Sequence, residues 1–180
     1  MEFNFSRNYF ELFGLEEKFH FDGVKFAEQY QHLQSQYHPD RFVESNDQDK
    51  RVVMQAATYI NEAYKTLKDE ASRAKYLLQM HGVTFNVEQD TTRDMEFLML
   101  QMNLREQIDE VSSQTDSLES LDTLEQQSRQ EKTQLIEHFQ KCIDGQRWDE
   151  AKDIVLKLQF FKRLQQQINQ KQEALEDQLL

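Results

Sequence analysis

Residues 37–42 read Tyr37-His38-Pro39-Asp40-Arg41-Phe42, and Pro39 is the only proline among 180 residues. Proline has no backbone N–H and turns the residue before it away from helix. A chain that uses proline once places it where a helix must stop. Upstream, Phe26, Tyr30, Leu33 and Tyr37 recur at i, i+4, i+7 and i+11, one helical stripe, and Asp22 stands ready as its N-cap. Downstream, Val53, Ala56, Ala57, Ile60, Ala63, Tyr64 and Leu67 form a second stripe. The expected local fold is two helices packed antiparallel, ending and starting around a polar loop at residues 40–50. A short helix over 9–15 that stops at Gly14 precedes them, and one over Ser72–His81 that stops at Gly82 follows.

Composition agrees with an all-α chain. Four glycines and one proline leave few turns, while Gln, Glu, Leu and Lys supply helix formers. The net charge of −12 repels nucleic-acid phosphates and anionic membrane, so neither is expected as a partner. Cys142 is the only cysteine, which excludes an internal disulfide, a Cys-only zinc site and a self-contained iron–sulfur ligand set. The histidines at 20, 32, 38, 81 and 138 form no i, i+4 His pair or other zinc-ligand spacing. No resident metal or cofactor is therefore expected. With neither an apolar spanning run nor a signal-like N-terminus, a bacterial cytoplasmic location is the expectation.

Residues 83–92 break the helical pattern and mark the expected domain boundary, leaving 1–82 before it and 93–180 after it. Three long helical patterns follow, over about 93–112, about 117–143 and Trp148 to the C-terminus. Polar connections Ser112–Asp116 and Asp144–Arg147 join them, so an up-down-up three-helix bundle is expected. Trp148 and Cys142 read as packing residues of that bundle.

The opening Tyr-Phe-x-Leu-x-Gly-Leu, the Tyr-His-Pro-Asp-Arg-Phe loop and Ile60-Asn61-Glu62-Ala63-Tyr64-Lys65-Thr66-Leu67 together resemble a J-domain, the activating module of DnaK-type chaperones. The resemblance implies that His38, Pro39 and Asp40 contact a heat-shock-70-class ATPase and stimulate its hydrolysis, with no chemistry of their own. J-domains usually carry a basic face on the preceding helix. Here that helix offers Lys25, and Arg41, Lys50 and Arg51 add charge near the loop. A catalytic His–Asp pair is disfavoured, since no nucleophile or oxyanion donor accompanies it.

No Gly/Phe-rich region or Cys-rich zinc domain follows, which argues against a generalist chaperone. A J-domain followed by an acidic bundle resembles the HscB family of co-chaperones in iron–sulfur cluster biogenesis. Ser72-Arg73-Ala74-Lys75-Tyr76-Leu77-Leu78 with His81-Gly82, and Arg93-Asp94 with Phe97-Leu98-Met99 and Leu104-Arg105-Glu106, carry that resemblance. Glu70 stands where the family often has proline.

The first bundle helix can be read without the family. Phe97, Leu100, Leu104, Ile108 and Val111 share one face, the expected core stripe. Met95, Leu98, Met99 and Met102 cluster on a second face roughly 165° away by the same wheel. A bundle helix needs one apolar face, so the second is surplus and suits an adaptable contact surface. Phe160 points away from the Val155–Leu158–Phe161–Ile168 stripe and is expected to join it. The resemblance places binding of an IscU-type iron–sulfur scaffold on Leu98, Met99, Met102 and Phe160. Glu106 and Glu110 would add charge, and Asn103 stands where an acidic residue is common. The implied function is an adaptor that presents this scaffold to an HscA-like chaperone and promotes cluster transfer. The alternatives are a J-domain protein with another client and a purely structural helical adaptor.

Overall fold

The computed structural model describes residues 3–86, 90–111 and 117–179. Among them are seven α-helices and one 3-10 turn, with no strand. The α-helices are α1 (Tyr9–Leu12), α2 (Gly23–Gln36), α3 (Asp47–Lys68), α4 (Glu70–Met80), α5 (Met95–Glu110), α6 (Ser117–Asp144) and α7 (Trp148–Leu179), and the turn is Pro39–Phe42. The molecule divides into two compact units between Leu77 and Leu78, inside α4.

In the first unit, α2 and α3 form the antiparallel hairpin expected from their stripes. Asp22 caps α2 by accepting from the amides of Val24 and Lys25 at 2.9 and 3.1 Å. Tyr37 closes it, its amide donating to the Leu33 carbonyl at 2.9 Å. Midway along the hairpin the Tyr30 and Tyr64 rings stack at 3.7 Å, and the Tyr30 hydroxyl donates to Asn61 Oδ1 at 3.0 Å. Phe10, Phe13, Phe19, Phe26, Ile60 and Leu67 are buried beneath. Aromatic rings supply much of this core, which suits a unit with few residues to bury.

Arg73 on α4 holds the edge of that core. Its guanidinium lies 4.4 Å from the Phe19 ring centre and 4.7 Å from that of Phe21, and it donates to the Leu67 carbonyl at 3.1 Å. Burial pushes its pKa down, partly opposed by the Glu70 and Asp69 carboxylates.

The expected polar loop at 40–50 is more ordered than its composition suggested. Pro39 starts a 3-10 turn, and Asn46 caps α3 by accepting from the Asp49 amide at 2.8 Å. Asp47 and Asp49 in the first turn complement the helix dipole, so α3 begins within the supposed loop.

In the second unit, α5, α6 and α7 pack as a three-helix bundle, with α7 against both of its neighbours. The bounds of α5–α7 lie within two residues of the sequence reading. The connection Ser112–Asp116 lies outside the described residues. Phe97, Leu104, Leu121, Phe161, Leu164 and Ile168 belong to one buried cluster. The end of α4 and the described part of 83–92 group with this unit rather than forming a separate linker. Side-chain contacts supply the reason. Lys152 on α7 pairs with Asp90 at 2.8 Å and lies over the Phe85 ring, while Thr92 is buried. Gly82, at φ 81, takes the left-handed turn that ends α4. Trp148 is half-buried, its ring stacked on that of His81 at 4.8 Å. Cys142 is fully buried, as a packing residue would be.

Candidate functional site

The tip of the hairpin is built by three local rules. Tyr37 ends α2, Pro39 takes the first position of the 3-10 turn where an N–H is not needed, and His38 caps it. The Asp40 amide donates to His38 Nδ1 at 3.3 Å, and the Arg41 amide donates to the His38 carbonyl at 3.1 Å. Arg41 Nη1 reaches back to the Ser35 carbonyl at 3.1 Å, tying the turn to the end of α2. The His38 side chain is 52% exposed and that of Asp40 87% exposed, with Nδ1 and Oδ2 3.7 Å apart. The backbone is fixed while an imidazole and a carboxylate face water. A fixed backbone that presents two exposed polar side chains is suited to docking. Lys25 is exposed in the first turn of α2, and Arg41 and Arg51 are exposed too.

The second candidate surface is on α5. Asp94 caps the helix by accepting from the Phe97 amide at 3.1 Å, and Lys157 of α7 pairs with the same carboxylate at 2.6 Å. The Lys157 hydrogen bond, helped by that of the Phe97 amide, holds the Asp94 carboxyl below its usual range. With α5 so anchored, Phe97, Leu104 and Ile108 turn inward. Met95, Met99 and Met102 remain 69%, 63% and 70% exposed, and Leu98 is partly exposed between them. Asn103, Glu106, Asp109 and Glu110 are exposed on the following turns. The result is an apolar strip with an acidic end.

Phe160 does not belong to that strip, contrary to the sequence expectation. It is 2% exposed and packs edge-on against Phe97 at 5.7 Å and Phe161 at 5.4 Å, with the Arg105 guanidinium 5.6 Å from its ring centre. The single-stripe reading of α7 failed because α7 packs on two helices and needs a wider apolar face. Sequence reasoning also passed over the capping role of Asp94 and its pairing with Lys157. An Asp immediately before an apolar-periodic run was the available signal.

An exposed His-Pro-Asp turn at the tip of a helical hairpin, joined to an all-helical partner unit, defines a J-domain co-chaperone. A DnaJ domain model matches residues 8–76, and the family described as HSCB C-terminal oligomerisation domain matches residues 93–169. The chain is 38% identical to the co-chaperone protein HscB of Proteus mirabilis (strain HI4320), over 94% of this chain and 98% of that one. It belongs to the HscB family. Among solved structures, chaperone HscB from Vibrio cholerae superposes with a TM-score of 0.82 at 36% identity, covering 97% of this chain and all of that one. The human co-chaperone protein HscB gives 0.84 at 27% identity, covering 94% and 84%. Among the described residues no helix is long and apolar enough to cross a membrane.

Proposed function

We propose that the protein is a two-headed adaptor without enzymatic activity of its own. Its J-domain stimulates ATP hydrolysis by a DnaK-type, HscA-like chaperone. Its bundle binds an IscU-type iron–sulfur scaffold, so that the scaffold is delivered to the chaperone and its cluster passed on. The observation that carries the reading is the co-existence, in one HscB-family chain, of a fixed but exposed His38-Pro39-Asp40 turn and an exposed Met-rich strip on α5.

In this reading Pro39 limits the entropy lost on docking, and Asp40 accepts a charge-assisted hydrogen bond from a partner arginine. Lys25 and Arg41 supply the remaining positive charge. On the bundle, Leu98, Met99 and Met102 form the apolar contact, with Asn103, Glu106 and Glu110 at its polar end. Methionine suits this role because its side chain adapts to a partner surface. Phe160 contributes by holding α5 in place rather than by touching the partner. One chain binding both partners raises their effective concentration.

Steady-state ATP hydrolysis by the chaperone, measured with this protein and scaffold separately and together, tests the reading. Synergistic stimulation is expected. Stimulation indifferent to scaffold would leave the J-domain role and point to a different client, and no stimulation would overturn the J-domain role.

A further inference from the structure

The junction of α6 and α7 is pinned by its own backbone. The Gly145 amide donates to the Lys141 carbonyl at 3.1 Å, that of Gln146 to Ile143 at 3.1 Å and that of Arg147 to Cys142 at 2.8 Å. Gln146 takes up the reversal with a φ of 53°. These closures fix the last turns of α6 against the first turn of α7.

Three side chains of different donor chemistry converge there. His138 and Cys142 are four residues apart on α6 and so lie on one helix face. Glu150 is the third residue of α7. Its Oε2 lies 3.8 Å from His138 Nε2 and 3.8 Å from Cys142 Sγ. One ligating atom from each of the three lies within 4.8 Å of the others. A tetrahedral ion bonded at the usual zinc–nitrogen, –oxygen and –sulfur lengths holds its donors roughly 3.3–3.7 Å apart. The two separations to Glu150 Oε2 exceed that by a few tenths of an ångström, a gap that rotation of the half-exposed His138 and Glu150 side chains can close. Cys142 is fully buried, while His138 and Glu150 are 53% and 52% exposed. The sulfur forms the floor of the site, and the imidazole and carboxylate form its rim.

We propose that His138, Cys142 and Glu150 bind a divalent cation of the zinc class, with water as the fourth ligand. The donor set selects the ion. Magnesium and calcium take oxygen ligands, whereas a nitrogen–sulfur–oxygen set suits a borderline-soft ion. Cys142 binds as the thiolate, its proton passing to solvent as the metal–sulfur bond forms. Arg147 Nη1 hydrogen-bonds to the same Glu150 Oε2 at 2.8 Å and competes with the ion for it. The ion clips the end of α6 to the start of α7. The sequence expectation of no resident metal weighed histidine spacing and the single thiol, and did not join His138 and Cys142 to a carboxylate on the next helix.

The test uses the untagged full chain, stripped with chelator and titrated with zinc, then with cobalt as a spectroscopic substitute. One zinc per chain, a rise in thermal unfolding temperature on binding and a cobalt–thiolate charge-transfer band are expected. Cys142→Ala should abolish the band, and removal of any one ligand should weaken zinc binding by more than the roughly tenfold to hundredfold that loss of an outer-shell partner costs. Arg147→Gln should tighten it by freeing Glu150. His138→Gln and Glu150→Gln alter only rim residues, so they carry the test if Cys142→Ala fails to fold. Equal zinc affinity in these two variants, or a cobalt spectrum without the thiolate band, would overturn the proposal.

Discussion

The backbone amide of Asp40 donates to Nδ1 of His38 at 3.3 Å, so one short-range bond across Pro39 holds the imidazole against the turn while the Asp40 carboxylate is left in water. Both remain largely in water. Neither side chain contributes to a core, so substitutions here should spare the fold.

His38→Gln is expected to abolish stimulation of the partner ATPase while changing stability by no more than about 0.5 kcal/mol, the usual range for a surface substitution. Steady-state hydrolysis and thermal melting of the variant check the two halves of this statement. A variant that melts early and still stimulates would contradict both.

The strip on α5 and the ring beneath it should respond in opposite ways. Met99→Ala and Met102→Ala remove exposed side chains and are expected to weaken scaffold binding by about 1–2 kcal/mol each at unchanged stability. Phe160→Ala removes a buried ring held by Phe97, Phe161 and Arg105 and should cost about 3–4 kcal/mol of stability. Calorimetric titration with scaffold and chemical denaturation distinguish the two classes.

Acid should weaken the Asp94–Lys157 pair. The Asp94 carboxyl is more acidic in the folded protein, chiefly through its hydrogen bond to Lys157. Folding thus favours the ionised form. Its stabilisation is full above the ordinary aspartate pKa of about 3.9 and is lost as pH falls through the lower folded value. Because Asp94 is partly in water, the ion pair is worth no more than about 0.5 kcal/mol after solvent screening. Asp94→Asn keeps a capping side chain and should cost about that much at neutral pH, whereas Asp94→Ala loses the cap as well and should cost about 1–2 kcal/mol. Denaturation at neutral pH and near pH 2 should show the Asn penalty only at the former.

Alkali should act on the other unit. Burial, followed by the nearby Glu62 carboxylate, raises the Tyr9 phenol to about 12, and burial also raises Tyr59 and Tyr76. Tyr9 stacks on Tyr76 at 4.4 Å. The folded state favours the neutral phenols, so stability holds below the ordinary tyrosine pKa of about 10 and falls as pH rises from there through the folded values. Ultraviolet titration should show delayed ionisation that Tyr9→Phe partly removes. An ordinary titration curve for all six tyrosines would contradict this.

Much of the fold was legible because its signals are local. Asp22 caps α2, Pro39 breaks the chain, Gly82 closes α4, and the spacing of apolar residues fixes which face of α3 turns inward. The N-terminus of α3 was missed because a polar segment rich in Asp and Asn reads as loop until Asn46 is seen to cap it. The candidate surfaces were legible in part for the same reason. The His38-Pro39-Asp40 turn is a local object, and the surplus of methionine on α5 is a one-helix pattern. Phe160 was misread because the width of the apolar face of α7 depends on how many helices surround it. His138, Cys142 and Glu150 were not joined because Glu150 comes from the next helix.

The sequence by itself determined seven helical segments, the exposed turn between α2 and α3 and a second apolar face on α5. Each follows from dihedral restriction, capping or 3.6-residue periodicity within one stretch of chain. Only the tertiary structure decided that the Met95–Met102 face stays in water, that Phe160 does not, and that Lys157 meets Asp94 and Glu150 meets Cys142. Those outcomes depend on which side chains from distant segments occupy the same space. A periodic pattern shows that a face needs covering but not what covers it.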